Sequence, residues 1–450
     1  MLLAQVLIVL GVSGLGMAAR VGTAGLAFWL LGILLFYLPL AFVVIRLNRL
    51  MPLEGGLYQW AKFGFNEFVG FLVGWNTWLF AMLFLSAIGF SFATAIAYAL
   101  GPRAAWVAES KPVIAAASCV LVGAIVAVSA LGLNVGKWVH NAGSIILLAV
   151  FAGLIALPLI SRASGVSASA FSLQLAVPSF SLVNLTIFAK LSAYALAGFE
   201  YVAIFAGECR DPARTISRSV FIAAPLIAVL NILGTGSVLT FIRPDDVDLI
   251  NPVAQVFSVG FRGFGFVAYI APLAILALLA RDIAQTSCIF TGGTRLPMVA
   301  GWDHLLPEWF TRLHRGRHTP VNSILFVGAI SLGVGLASLI GVGQQEAYQL
   351  LFSASGIFVV SGYLVLFAIP LVGWRGKGVG FPWWLKLASL SGMLVTLLFI
   401  GLSIFPIIEV SSWLSYSAKI IAVVVGTNLT GAAIFLAGQR RRRRQHGATS

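Results

Sequence analysis

Charge is what this sequence has least of. Charged residues fill only 9% of its 450 positions, against about 25% in a soluble domain. That excludes an ordinary water-soluble globule. Acids are scarcest, with 14 Asp and Glu against 28 Lys and Arg. Cysteine is limited to Cys119, Cys209 and Cys288. These stand within or beside apolar runs, without disulfide or metal spacing, and read as small core residues. No ten-residue alternating strand pattern occurs, which argues against an outer-membrane barrel. No GxxxxGK loop is present to cradle ATP phosphates. No metal-ligand set or nucleophile–base motif stands at the end of an apolar run, so no enzyme, cofactor or metal is expected. His304, His314 and His318 fit no metal spacing. The net charge of +14 is spread over short loops and one tail. Without a basic recognition helix or aromatic platform it does not point to nucleic acid.

What the chain has instead is apolar length. Hydrophobic residues make up 60% of it. Apolar runs fall at roughly 2–19, 24–47, 68–100, 112–132, 138–160 and 183–207. They continue at 216–242, 263–298, 321–341, 347–373, 383–406 and 413–437. The expectation is an all-α polytopic membrane protein with twelve transmembrane helices. Runs three and eight exceed the roughly 20 residues needed to cross, and are expected to tilt or overrun. A cleaved signal peptide competes for the first run, because Met17-Ala18-Ala19 resembles a cleavage site. That run lacks a basic leader, and removing it would break the charge alternation. One set of loops carries Arg46, Arg49, Lys62, Lys137, Arg210, Arg214, Arg218, Arg312, Arg315, Arg317, Arg375 and Lys377, and the tail carries Arg440 to Arg444. The opposite set is poorer in basic residues, and one of its loops holds Asp245, Asp246 and Asp248. Both termini are therefore expected in the cytoplasm, with the protein multi-pass in the cytoplasmic (inner) membrane. The Arg tail reads as an anchor against anionic membrane lipid. The aromatic loop 300–320 reads as an interfacial helix.

Two runs are interrupted by glycine. Run one holds Gly11-Val12-Ser13-Gly14-Leu15-Gly16, and run six holds Gly198-Phe199-Glu200. A carboxylate at bilayer depth costs on the order of 2–4 kcal/mol unless it is paired, protonated or facing water. Packing glycines and a buried structural Glu remain the plain reading. Interrupted helices five spans apart, however, are the sequence mark of a secondary transporter with its substrate held between half-helices. The positive end of a half-helix and its N–H groups suit a carboxylate. Freed carbonyls suit an ammonium, so a zwitterionic amino acid fits.

Three segments carry a family resemblance. Met51-Pro52-Leu53-Glu54-Gly55-Gly56-Leu57-Tyr58 follows run two. Gly198-Phe199-Glu200 is followed by Gly207-Glu208 and Asp211-Pro212. Arg295-Leu296-Pro297 is followed by Leu305-Leu306-Pro307 and Thr319-Pro320. In this order they resemble permeases of the amino acid–polyamine–organocation (APC) superfamily, of the bacterial amino acid permease or amino acid–polyamine antiporter type. The resemblance runs along nearly the whole chain. It implies a leucine-transporter-type 5+5 inverted repeat plus two helices. Residues 1–160 would form the first repeat, 183–373 the second, 383–437 helices eleven and twelve, and 438–450 a basic cytoplasmic tail. It places the substrate carboxylate near Gly11, Val12, Ser13 and Gly14, and its amino group near Ala195, Leu196, Ala197 and Gly198. Tyr194 matches an aromatic lid. Glu200 matches a residue linked either to proton coupling or to holding the unwound sixth helix.

Some positions depart from the family pattern. GVSGLG replaces the usual first-helix turn. No Lys stands midway along run five, where Ala149, Val150 and Phe151 lie, and Lys137 and His140 read as lipid-facing anchors. Arg281-Asp282 stands inside run eight. Neighbours on a helix point about 100° apart, so the two need not pair with each other. Asp282 can bind a cation or the substrate ammonium, and Arg281 can neutralise Glu200 or an anionic side chain. An ion network that fixes packing is the plain alternative. Thr286 and Ser287 read as caps on backbone carbonyls, with an ion-site reading beside it. Lys190 reads as a snorkelling residue near the outer end of run six. The expected function is secondary active transport of amino acids by alternating access, proton-coupled or by exchange, with spans three, eight and ten lining the site. The partners expected are a small-molecule substrate and membrane lipid, with the protein a monomer or homodimer. A polyamine or organic-cation carrier and a transporter-like membrane sensor are the alternatives.

Overall fold

A computed structural model describes residues 7, 10–51, 55–165, 176–198, 200, 201, 203, 204, 211–262, 264, 270–297, 305–316, 319–373 and 380–447. Among the described residues every regular element is helical. We label α1 Ser13–Arg20, α2 Ala24–Leu50, α3 Gly56–Gly64, α4 Glu67–Ser86 and α5 Ile88–Leu100. Next come α6 Lys111–Leu131, α7 Leu133–Ala163, α8 Leu182–Ala195, α9 Pro212–Phe241 and α10 Pro252–Gly260. The chain ends with α11 Ile270–Gly293, α12 Val321–Ala337, α13 Gln344–Val372, α14 Trp383–Leu402 and α15 Trp413–Gly447. Counting α4 and α5 as one, nine helices among the described residues are long and apolar enough to cross a membrane, while α8 and α12 are shorter apolar helices. Pro52 to Glu54, Phe199, Gly207-Glu208, Cys209, Arg210, His304 and His318 lie outside the described residues.

Local chemistry starts several of these helices. Asn66 caps α4 by accepting from the Val69 N–H, with Glu67 in the first turn. Ser181 caps α8, and Asp211 caps α9 just ahead of Pro212. Most helices are apolar all round, so periodicity alone could not say which face turns inward. Leu34, Val120, Ile145, Leu394 and Leu429 are exposed on the outside of the bundle. In a bilayer such a belt faces lipid rather than water. Close helix crossings use glycine, as at other membrane interfaces. A Cβ on Gly293 would lie 2.3 Å from that of Ala81, and one on Gly328 would lie 2.4 Å from Val126 Cγ2.

Four expectations change here. Run three is not one continuous rod: it breaks at Ala87, between α4 and α5. Gly335 of α12 approaches that break so closely that a Cβ would lie 2.8 Å from the Ser86 carbonyl oxygen. In the loop after α11, residues 308–310 form a 3-10 turn rather than an interfacial helix. Its Trp309 and Phe310 pack edge-on against Phe326 of α12. Cys119 is exposed rather than in the core, while Cys288 is buried. His140 is buried instead of facing lipid, with its Nε2 3.5 Å from Ser287 Oγ. The basic tail continues α15, and Arg442 reaches back to Glu67 at 2.9 Å.

Candidate functional site

The two glycine interruptions lie at one central cavity. The regular part of α1 begins only at Ser13, and its N-cap residue Val12 supplies no side-chain cap. A helix that begins this way leaves first-turn N–H groups for another partner. α8 ends in a π turn, Leu191–Ala195, closed by the Leu196 N–H on the Leu191 carbonyl. π turns are rare and often sit at functional places. Ala197 and Gly198 then run irregularly, and Gly198 takes φ +119°, a conformation glycine adopts without strain. The helical hydrogen bonds stop there, which frees carbonyls of the preceding turn.

Glu200 ties this break to α13. It is fully buried, and its Oε2 accepts the Gly198 N–H at 2.9 Å. Its Oε1 accepts the Tyr363 hydroxyl at 2.5 Å. Both oxygens of the carboxylate are therefore engaged by the broken helix and its neighbour. The start of α3 packs against the same region, where a Cβ on Gly56 would lie 2.6 Å from that of Ala203.

Gly11, Val12, Ser13, Tyr194, Ala195, Ala197, Gly198, Glu200, Arg281 and Asp282 all line this cavity. Its volume is about 110 Å³, well beyond the roughly 10–15 Å³ that one water needs. Gly14 and Leu196 are buried at the two breaks. A Cβ on Gly14 would lie 2.8 Å from that of Ala195. Tyr194 places its hydroxyl 2.9 Å from Ser355 Oγ and its ring edge-on to Phe352, centroids 4.7 Å apart. α4 and α5 contribute Phe80, Phe84 and Ser91, and α13 adds Tyr348 and Tyr363.

Arg281 and Asp282 do pair with each other. Arg281 Nη1 lies 2.6 Å from Asp282 Oδ1, with the arginine fully buried and the aspartate slightly open. The pair is monodentate, and Asp282 Oδ2 has Ser91 Oγ at the limiting distance of 3.5 Å. Thr286 donates to the Asp282 carbonyl at 2.8 Å, the back-bond common in membrane helices. Ser91, Asn251, Gln285, Ser355 and Tyr363 are wall residues that sequence reasoning missed. They stand in or beside apolar segments, and only the packed bundle shows which way they face.

Lys190 does not snorkel. It is only 1% exposed and donates to Ser353 Oγ at 2.9 Å. Ser353 in turn lies 3.2 Å from the Tyr416 hydroxyl. α8 and α13 thus enclose an ammonium whose hydrogen-bonded neighbours are neutral. Burying a charge against neutral neighbours costs free energy that an apolar side chain of similar size does not. Lys190→Met is expected to raise the thermal unfolding midpoint of the purified protein; a fall would show that the ammonium holds these helices together.

Nine helices among the described residues are long and apolar enough to span a membrane, and two shorter ones break at a shared cavity, an arrangement that fits a multi-pass membrane transporter. A family model described as "Amino acid permease" matches residues 2–427. The chain therefore belongs to the amino acid permease family, within the APC superfamily. It is 22% identical over 359 residues to an uncharacterized transporter of Legionella pneumophila, covering 79% of this chain and 76% of that one. It is 21% identical over 363 residues to a probable agmatine/putrescine antiporter of Lactococcus lactis, covering 78% and 73%. It is 27% identical over 300 residues to a low-affinity putrescine importer of Escherichia coli, covering 64% and 62%.

Proposed function

We propose that this permease carries amino acids across the cytoplasmic membrane by alternating access, coupled to protons or by exchange. The observation that carries this reading is the meeting of the two broken helices at one cavity. The uncapped start of α1, near Gly11 to Gly14, suits a carboxylate. The carbonyls freed at Ala195 to Ala197 suit an ammonium. Tyr194 covers the substrate, and Glu200 fixes the broken segment of α8 rather than binding substrate. In this reading residues 1–160 and 183–373 are inverted repeats, 383–437 form the last two of twelve helices, and both termini are cytoplasmic. The basic bias of one set of loops supports that orientation.

Uptake into proteoliposomes is the test, using a panel of labelled amino acids with and without pH and sodium gradients. Transport of at least one amino acid is expected, and none transported or exchanged would overturn the reading. A polyamine or organic-cation carrier is the second reading. It is favoured by the cavity's formal charge, with Glu200 and Asp282 against Arg281 leaving one net negative. The names of the Lactococcus and Escherichia relatives point the same way. Putrescine and agmatine therefore belong in the panel.

A further inference from the structure

Asn251 stands just before α10 and lines the central cavity. It is fully buried, and its amide is oriented by its own donors. Nδ2 donates to the Ser91 carbonyl at 2.7 Å and reaches Ser91 Oγ at 3.3 Å. A flipped amide would set oxygen against that carbonyl, so the orientation is fixed by the contacts. This leaves Oδ1 as a buried acceptor with no hydrogen-bond partner among the described residues. Leaving such a group unmatched is costly, and in native proteins it calls for an explanation. Ser91 also links Asn251 to Asp282, whose Oδ2 keeps acceptor capacity because Arg281 engages Oδ1. Beside the cavity thus stand a buried amide oxygen without a donor and a carboxylate oxygen whose one donor, Ser91 Oγ, lies at the limiting distance.

The approach from outside has the same sign. Ile250 lines both the central cavity and an adjoining cleft that holds Tyr98, Glu109, Asp248 and Arg262. Asp245, Asp246 and Glu409, against one Arg20, stand around a neighbouring opening that shares Asp248. Acidic walls of this kind concentrate cations at an entrance.

We propose that Asn251, Ser91 and Asp282 form a subsite for the cationic end of the substrate, a primary ammonium or a guanidinium. A group with several N–H donors satisfies Asn251 Oδ1 and Asp282 Oδ2 together, which a hydrocarbon side chain cannot do. This deepens the proposed function, because the far end of a zwitterionic substrate held at α1 and α8 would be basic. The preferred substrates are then lysine- or arginine-like. A diamine presents the same end group to the same oxygens.

The test compares lysine with norleucine, which keeps the chain and lacks the ammonium. In proteoliposomes of the full chain, lysine or arginine is expected to outcompete norleucine at least tenfold. Asn251→Leu is expected to lower the lysine-to-norleucine ratio of kcat/KM about tenfold, the factor set by one lost charge-assisted hydrogen bond. Asn251→Asp is expected to raise that ratio. A purely structural role would depress both substrates alike and leave the ratio unchanged, which overturns the subsite. Norleucine equalling or beating lysine in the unaltered protein also overturns it, whether or not the variants fold, while leaving amino acid transport standing. Putrescine transport that depends on Asn251, with no amino acid carried, would keep the subsite and remove the amino acid reading.

Discussion

Glu200→Ala is expected to abolish uptake while Glu200→Gln retains most of it. Alanine leaves the Gly198 N–H and the Tyr363 hydroxyl without their acceptor in a buried wall. Each unmatched group costs about 1–3 kcal/mol, which together equals several factors of ten in the population of the working conformation. Glutamine can keep both contacts. Its oxygen accepts from Gly198, and its amide donates to the Tyr363 oxygen. Initial uptake rates beside thermal midpoints separate lost function from lost fold. If Glu200→Gln removes only the response to a pH gradient and leaves exchange intact, Glu200 carries the proton. Full gradient-driven uptake in that variant leaves it the structural tie proposed above.

Gly14→Val is expected to weaken substrate binding by a factor of ten to a hundred. A Cβ at this position would lie 2.8 Å from the Cβ of Ala195 and 3.1 Å from the Trp29 ring. Neither neighbour yields easily. Ala195 has no rotamer to change, and Trp29 is held by its Nε1 on Thr235 Oγ1 at 2.8 Å. Overpacking of this kind costs about 1–3 kcal/mol, and a tenfold change in affinity is about 1.4 kcal/mol. The valine would drive the two broken segments apart where the substrate is read. Gly123→Ala is the control, since a Cβ there meets nothing within 4 Å. Equal affinities for the two variants would separate Gly14 from substrate binding.

The break in α1 was legible from glycines crowded into one turn, and that in α8 from a glycine beside a carboxylate. Glu200 was legible because a carboxylate there is expensive. Its partner Tyr363 was not, since one tyrosine in an apolar helix has no visible direction until the bundle is packed. Asn251 was hidden for a different reason: it precedes a short helix between two expected spans, where a polar residue is unremarked. Lys190 misled because a lysine in an apolar run usually reaches the interface. Nothing in the sequence shows that Ser353 and Tyr416 close over it. The Arg281–Asp282 contact was left open by helix geometry, which separates adjacent side chains unless a long arginine bends back.

The π turn in α8 is matched by another, Ile33–Tyr37 within α2. The two lie together, and a Cβ on Gly32 would sit 2.6 Å from Ser192 Oγ. Each π turn holds one residue more than an α turn would. It therefore shifts the phase of its helix by about 100° without lengthening the fold. α8 thus enters the bundle in one register and meets the cavity in another. The face that packs outside and the face that presents Tyr194 to the cavity need not be the same stripe of sequence. Substitutions on one side of the turn can accumulate without rotating the other.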